Sequence, residues 1–149
     1  MRIIMMIFLI GFMGSGKTWF GKKFASTKNL PFYDLDDEIE KKLGMNIHQI
    51  FQKYGKTYFR KIESEILLAW DKEGIIATGG GIVETEENRK FLQQKEIKTI
   101  WLNPSWKTIF ERIKSSDRPL VRQLSKQELF ELWQKRELLY RECADVVKV

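Results

Sequence analysis

Apolar and polar positions along the chain fall in alternating blocks. Residues 3–10 (IIMMIFLI) are apolar on both faces, the pattern of a parallel strand buried in the middle of a sheet. Gly11 opens a glycine-rich turn, and residues 17–28 after it have helix length. A short apolar run at 32–33 leads into acidic residues and a helix over 36–42, followed by helical segments at 47–54 and 57–71. In the second of these, Phe59, Ile62, Ile66 and Ala69/Trp70 recur on one face. A third apolar run, 74–77, ends at Gly79-Gly80-Gly81, and a polar helix over 86–94 precedes a fourth strand at 99–102. Pro104 fits the first turn of the next helix, which reaches Ile113. Residues 115–125 are polar, contain Pro119 and lack periodicity, which predicts a mobile loop. A long helix to residue 142 and a β-branched run at 146–149 close the sequence.

Strands separated by helix-length segments imply an α/β fold, a parallel sheet with helices on both faces. No repeat, low-complexity stretch or Pro/Gly-rich linker divides residues 1–149, so one domain is expected. In such sheets ligands sit at the carboxyl ends of strands, and every glycine or acidic cluster noted here falls there.

Composition narrows the class. The chain has 149 residues, 43% hydrophobic and 31% charged, which suits a folded soluble domain and argues against disorder. One cysteine, Cys143, excludes an intrachain disulfide and a Cys-rich zinc module. The apolar start is too short for a membrane span and no small-residue cleavage site follows it, so a cytoplasmic protein without membrane association is expected. Lys and Arg outnumber Asp and Glu by 26 to 20, giving a net charge of +6. That surplus suits nucleic acid, an anionic surface or a polyanionic small molecule and does not choose among them.

The chemistry is concentrated in a few motifs. Gly11-Phe-Met13-Gly14-Ser15-Gly16-Lys17-Thr18 fits G-x-x-x-x-G-K-[ST], with the required strand before it and helix after it. Its glycines let backbone N–H groups turn inward as an anion nest at a helix N-terminus. Lys17 would reach the β- and γ-phosphates of a nucleoside triphosphate, and Thr18 would offer its hydroxyl to Mg²⁺. Asp34-Leu35-Asp36 ends the second strand, and strand alternation would aim both carboxylates at the phosphate loop. One could then hold water on Mg²⁺ while the other orients or deprotonates an acceptor hydroxyl. The same residues also read as a helix N-cap with acids in the first turn. Gly79-Gly80-Gly81 permits close backbone approach to a ligand, or is a flexible connector. Arg60, Arg118 and Arg136 are individually unremarkable in a basic chain.

Together these pieces resemble the shikimate kinases from Arg2 to Val147. The matching stretches are IFLIGFMGSGKT, FYDLDDEIE, YFRKIESE, IIATGGGIV, DRPL and KRELLY, in that order and spacing. The resemblance implies a three-layer P-loop kinase fold akin to nucleoside-monophosphate kinases, with a five-stranded parallel sheet in the order 2-3-1-4-5. It implies transfer of the ATP γ-phosphoryl group to the 3-hydroxyl of shikimate, with Mg²⁺ as cofactor, by a monomer. On this resemblance Asp36 contacts the reacting hydroxyl and Asp34 acts on the metal's water shell. Arg60 and Arg136, with the Gly79-Gly80-Gly81 backbone, hold the substrate carboxylate. Arg118 swings over the phosphates on a lid at 115–125, Arg112 is the adenine-stacking arginine, and 34–61 forms the substrate-binding helical segment. Relatives usually continue past the last strand through an adenine-covering loop and a helix. The sequence stops at Val149, so the adenine is expected to be clamped from one side only.

Two other functions fit less of the sequence. A non-catalytic nucleotide-binding regulator would not need both the phosphate and the acceptor groups. A nucleic-acid binder would rest on charge and on Trp19, Trp101 and Trp106, which read as core or helix packing. His48 has no Cys or His partner at ligand spacing, Cys143 reads as a packing residue, and Lys22-Lys23 and Lys41-Lys42 read as solvated faces.

Overall fold

The computed structural model describes residues 3–149; Met1 and Arg2, included in the expected domain and in the family resemblance, lie outside them. The first strand, β1, runs over Met6–Ile10. The apolar run starts earlier, but Ile3, Ile4 and Met5 are exposed. The neighbouring strands begin opposite Met6, at Gly74 and Ile97, and the ladder reaches back to the Met5 carbonyl, which accepts the Gly74 N–H at 2.9 Å.

The sheet contains β1, β2 (Phe32–Asp34), β3 (Gly74–Ala77), β4 (Ile97–Leu102) and β5 (Val146–Lys148) in the order β2-β3-β1-β4-β5, all pairs parallel. This is the expected topology. Alternation along β1 divides the core into two layers. Ile7 and Leu9 pack with Ala25, Phe20 and Phe24 of α1 (Lys17–Lys28). Phe8 and Ile10 face the opposite way, toward Leu67, Ile109, Leu129 and Tyr140. Those four come from α3 (Ile47–Leu68), α5 (Trp106–Ile113) and α7 (Lys126–Cys143). Each fully buried side chain of this size contributes about 1.5–3 kcal/mol by leaving water.

Between β2 and β3, α2 (Leu35–Leu43) and α3 enclose a smaller cluster of Ile39, Ile50, Phe59 and Ile62. α3 is one element broken where two segments are expected. Gly55 sits at φ 84°, ψ 176°, a backbone conformation that side-chain-bearing residues rarely adopt. A 3₁₀ turn (Ile82–Glu84) and α4 (Glu86–Leu92) join β3 to β4.

Two segments depart from expectation. Pro104 is outside α5, because Ser105 caps that helix by accepting the Thr108 N–H at 3.2 Å. Residues 115–125 are not wholly loop. Pro119–Gln123 forms a short helix, α6, with Pro119 pre-set for its first turn and Arg118 at the cap.

Candidate active site

Strand register assembles the site. Asp34 lies opposite Ala77, and Ala77 lies opposite Leu9, so the ends of β2, β3 and β1 form one line. The segments leaving those ends therefore open into one place. The connections after β1 and β3 run to opposite sides of the sheet, which leaves a crevice between them. Thr78 closes its floor, giving both its N–H (3.1 Å) and its hydroxyl (2.8 Å) to the Leu9 carbonyl. Above this floor lies a cleft of about 1180 Å³.

The phosphate loop occupies one wall. Gly14 and Gly16 hold φ of 80° and 94°, and Gly16 caps α1 with no side chain of its own to satisfy the helix N-terminus. Backbone donors are thus left pointing at the cleft. Lys17 donates to the Gly11 and Phe12 carbonyls, at 2.5 and 3.1 Å. Burial pushes its ammonium down to about 7, against the pull of Asp36. Ser15 is buried beside Gly11, and Thr18 and Met13 line the cleft. Arg112, from the last turn of α5, donates to the Gly14 carbonyl at 2.9 Å and so holds the loop from outside.

Asp34 and Asp36 do not share a strand. Asp34 ends β2 and caps α2, its Oδ1 accepting the Asp36 N–H at 2.9 Å, whereas Asp36 is already helical. The helix N-cap reading is the one the structure shows, and the strand-alternation argument is replaced by a cap that turns Asp36 inward. Asp36 Oδ1 is buried with no hydrogen-bond partner among the described residues. Burial, then Asp34 and Glu63, push its carboxyl up to about 7. Burial likewise raises Asp34.

The opposite wall carries the arginines. Arg136, on α7, is 2% exposed, and Arg60, on α3, is half-buried. Arg60 donates to Glu63 at 2.9 Å and to Glu84 at 3.2 Å, and Arg136 donates to the same Glu84 oxygen at 3.3 Å. The three glycines sit among these groups. A Cβ on Gly79 would be 3.1 Å from Glu63 and 3.3 Å from Asp36, and one on Gly80 would be 3.3 Å from Arg136. One on Gly81 would collide with the Arg60 guanidinium. The run is thus a close-approach surface and not a loose connector. Tyr140 fixes it further, donating its hydroxyl to the Gly80 carbonyl at 2.5 Å.

Glu63, Glu84 and Tyr140 escaped the sequence reading. Glu63 and Tyr140 each carried one signal, the i,i+3 spacing from Arg60 and the i,i+4 spacing from Arg136 on a helix; nothing local marked Glu84. Burial pushes Glu63 up against the pull of Arg60. At Glu84 burial also acts upward, but Arg136, Arg60 and Lys56 outweigh it and hold the carboxyl below its usual value. Trp19 is not the packing residue expected: it is 70% exposed at the cleft. Trp101 is buried, and Trp106 packs against Phe12, Phe110, Phe130 and Trp133. Cys143 is buried, and burial pushes its thiol to about 11.

Arg118 lines the same cleft from the cap of α6. Acidic, basic and backbone-donor groups from distant segments therefore face one space. Such a space can hold a polyanion on the loop wall and a carboxylate on the arginine wall, with a carboxyl base between them. Among the described residues no group of three or more His, Cys, Asp or Glu could hold a metal ion, and no helix is long and apolar enough to cross a membrane.

Comparison with known proteins finds relatives over nearly the whole chain. The family profile described as shikimate kinase matches residues 13–149. A shikimate kinase of Dictyoglomus turgidum is 41% identical over 145 residues, covering 93% of this chain and 83% of that one. The solved structure of an Acinetobacter baumannii shikimate kinase in complex with shikimate superposes with a TM-score of 0.89 at 36% identity, covering 98% of this chain and 83% of the other. The Aquifex aeolicus shikimate kinase structure gives 0.83 at 38% identity, with 97% and 86% covered.

Proposed function

The chain belongs to the shikimate kinase family, and from that premise we propose that it transfers the γ-phosphoryl group of ATP to the 3-hydroxyl of shikimate. The observation that carries this reading is the pairing of Arg60 and Arg136 across from the phosphate loop, with Asp36 between. Two guanidinium forks match a planar carboxylate in a way lysines cannot. Glu84 already occupies part of their hydrogen-bonding capacity, so substrate carboxylate binds to arginines held in place beforehand.

The backbone N–H groups of Gly14 to Thr18 and the Lys17 ammonium bind the β- and γ-phosphates. A polyphosphate offers Lys17 a stronger acceptor than the loop carbonyls it now touches, and the bound lysine is protonated. Asp36, buried and with an unpartnered oxygen, accepts the hydrogen bond and then the proton of the acceptor hydroxyl. The acceptor oxygen bonds to the γ-phosphorus as the bond to the ADP oxygen breaks, so the phosphoryl group moves and the proton stays at Asp36. Arg118 neutralises charge on the transferring group, as a loose transition state needs positioning more than covalent help. Closure of residues 115–125 over the cleft would exclude water as a competing acceptor.

The residues present also fit Mg²⁺. Thr18 offers a hydroxyl at the cleft and Asp34 a carboxylate with one oxygen engaged by the Asp36 N–H. When bound, the ion supplies charge neutralisation at the β- and γ-phosphates. One chain supplies every group named, so the proposed reaction needs no residue from a second copy.

An ADP-release assay tests the reading. Turnover should require both shikimate and Mg-ATP; ADP release indifferent to shikimate would overturn it.

A further inference from the structure

Trp19 stands apart from every other tryptophan of the protein. Trp70 and Trp101 are buried, and Trp106 and Trp133 stack in an aromatic group between α5 and α7. Trp19 is 70% exposed, and its only ring contact among the described residues is Lys23, whose ammonium lies 5.0 Å over one face. An indole left in water forgoes a large apolar burial, so its place on the molecule matters.

That place is the phosphate-loop end of the cleft. Trp19 lines it together with Gly16, Lys17, Thr18 and Arg112. It belongs to the first turn of α1, where a helical side chain leans back toward the helix N-terminus and hence toward the anion nest. The other end of the cleft is taken by Asp36, Glu63, Arg60 and Arg136. A nucleotide whose terminal phosphate faces Asp36 must therefore send its nucleoside out over the loop wall. Arg112, tied to the Gly14 carbonyl, and Trp19 line the cleft beside that wall.

We propose that the uncovered face of the Trp19 indole packs against the nucleoside of the bound nucleotide and supplies a share of its affinity that the phosphate contacts do not. The proposal rests on the phosphate-loop assignment above and adds a residue to it. Stacking on an aromatic face is sequence-tolerant because every base presents a π-face. The indole therefore favours nucleotides over bare polyphosphate without choosing strongly among bases.

Calorimetry of the full chain with ADP and with inorganic pyrophosphate, in Mg²⁺ buffer, separates the two contributions. Trp19→Ala is expected to weaken ADP binding about tenfold while leaving pyrophosphate within about twofold. Trp19→Phe, which keeps an aromatic face, should recover most of the loss. ADP should also shield part of the wild-type tryptophan fluorescence from acrylamide, and this protection should vanish in Trp19→Phe. Unchanged ADP affinity in Trp19→Ala, or an equal fall for ADP and pyrophosphate, would overturn the assignment. Wild-type protein that bound neither ligand would instead remove the phosphate-loop reading, and this proposal with it.

Discussion

Arg60 and Arg136 come from different helices, yet each aims a guanidinium nitrogen at the same oxygen, Glu84 Oε2, at 3.2 and 3.3 Å. A single carboxylate thus spaces two cations that would otherwise repel. The Glu84 carboxyl lies below its usual 4.5. A depressed folded value contributes stability that is full above the unfolded pKa and is lost as pH falls through the folded one. Glu84→Gln is therefore expected to destabilise the protein at neutral pH by about 1–3 kcal/mol and to flatten the acid side of its Tm profile. Melting curves between about pH 3 and 8 check this, and parallel wild-type and mutant profiles would refute it.

Removing Arg136 leaves Glu84 and the substrate carboxylate short of a partner in a closed setting. Arg136→Ala should weaken shikimate binding by about 2–4 kcal/mol with ADP affinity nearly intact. Titrations with each ligand decide; an equal fall for both would contradict the carboxylate assignment.

Gly81 needs its missing side chain for space. Its φ of −94° is open to any residue, but a Cβ there would strike the Arg60 guanidinium. The end of an arginine can move, so Gly81→Ala should fold and displace Arg60. The expected result is a shikimate KM raised about tenfold, the equivalent of one lost contact of about 1.4 kcal/mol. An unaltered KM with a normal melting temperature would show that Arg60 does not hold the substrate.

Asp36 carries the pH dependence on the acid side. Burial lifts its carboxyl to about 7, and only the ionised form can take the hydroxyl proton. Turnover per unit shikimate should rise with pH through about 7. Asp36→Asn should remove that rise and lower kcat about a hundredfold or more, with a smaller change in KM. A pH–rate series on both proteins tests it.

Lys17 sets the alkaline side. Its pKa of about 7 means that the free protein loses the ammonium as pH rises, while a polyphosphate binds the charged form. ADP affinity should fall between about pH 7 and 9 and proton uptake should accompany binding. Lys17→Ala should abolish both effects and lower kcat about a hundredfold to a thousandfold. Calorimetry in buffers of different ionisation enthalpy is the measurement.

Sequence alone determined most of the elements and the phosphate-loop motif. Both are local: periodicity decides helix or strand, and the loop's glycines, Lys17 and Thr18 are contiguous at one strand-to-helix turn. The break at Gly55 was legible for the same reason, since a turn leaves a gap in the helical pattern. The order of strands became legible only through the family pattern, which also supplied the roles proposed for Asp36, Arg60 and Arg136.

Tertiary structure decided what depends on partners far along the chain. The start of β1 waited on Gly74 and Ile97, the orientation of Asp36 on the cap at Asp34, and the exposure of Trp19 on which helix faces are covered. Glu84 and the Tyr140 contact with Gly80 entered the site through packing of the turn after β3 against α7, which no local spacing records. Local free energies are written in neighbouring residues; burial and charge pairing are set by residues that meet only after the chain has closed.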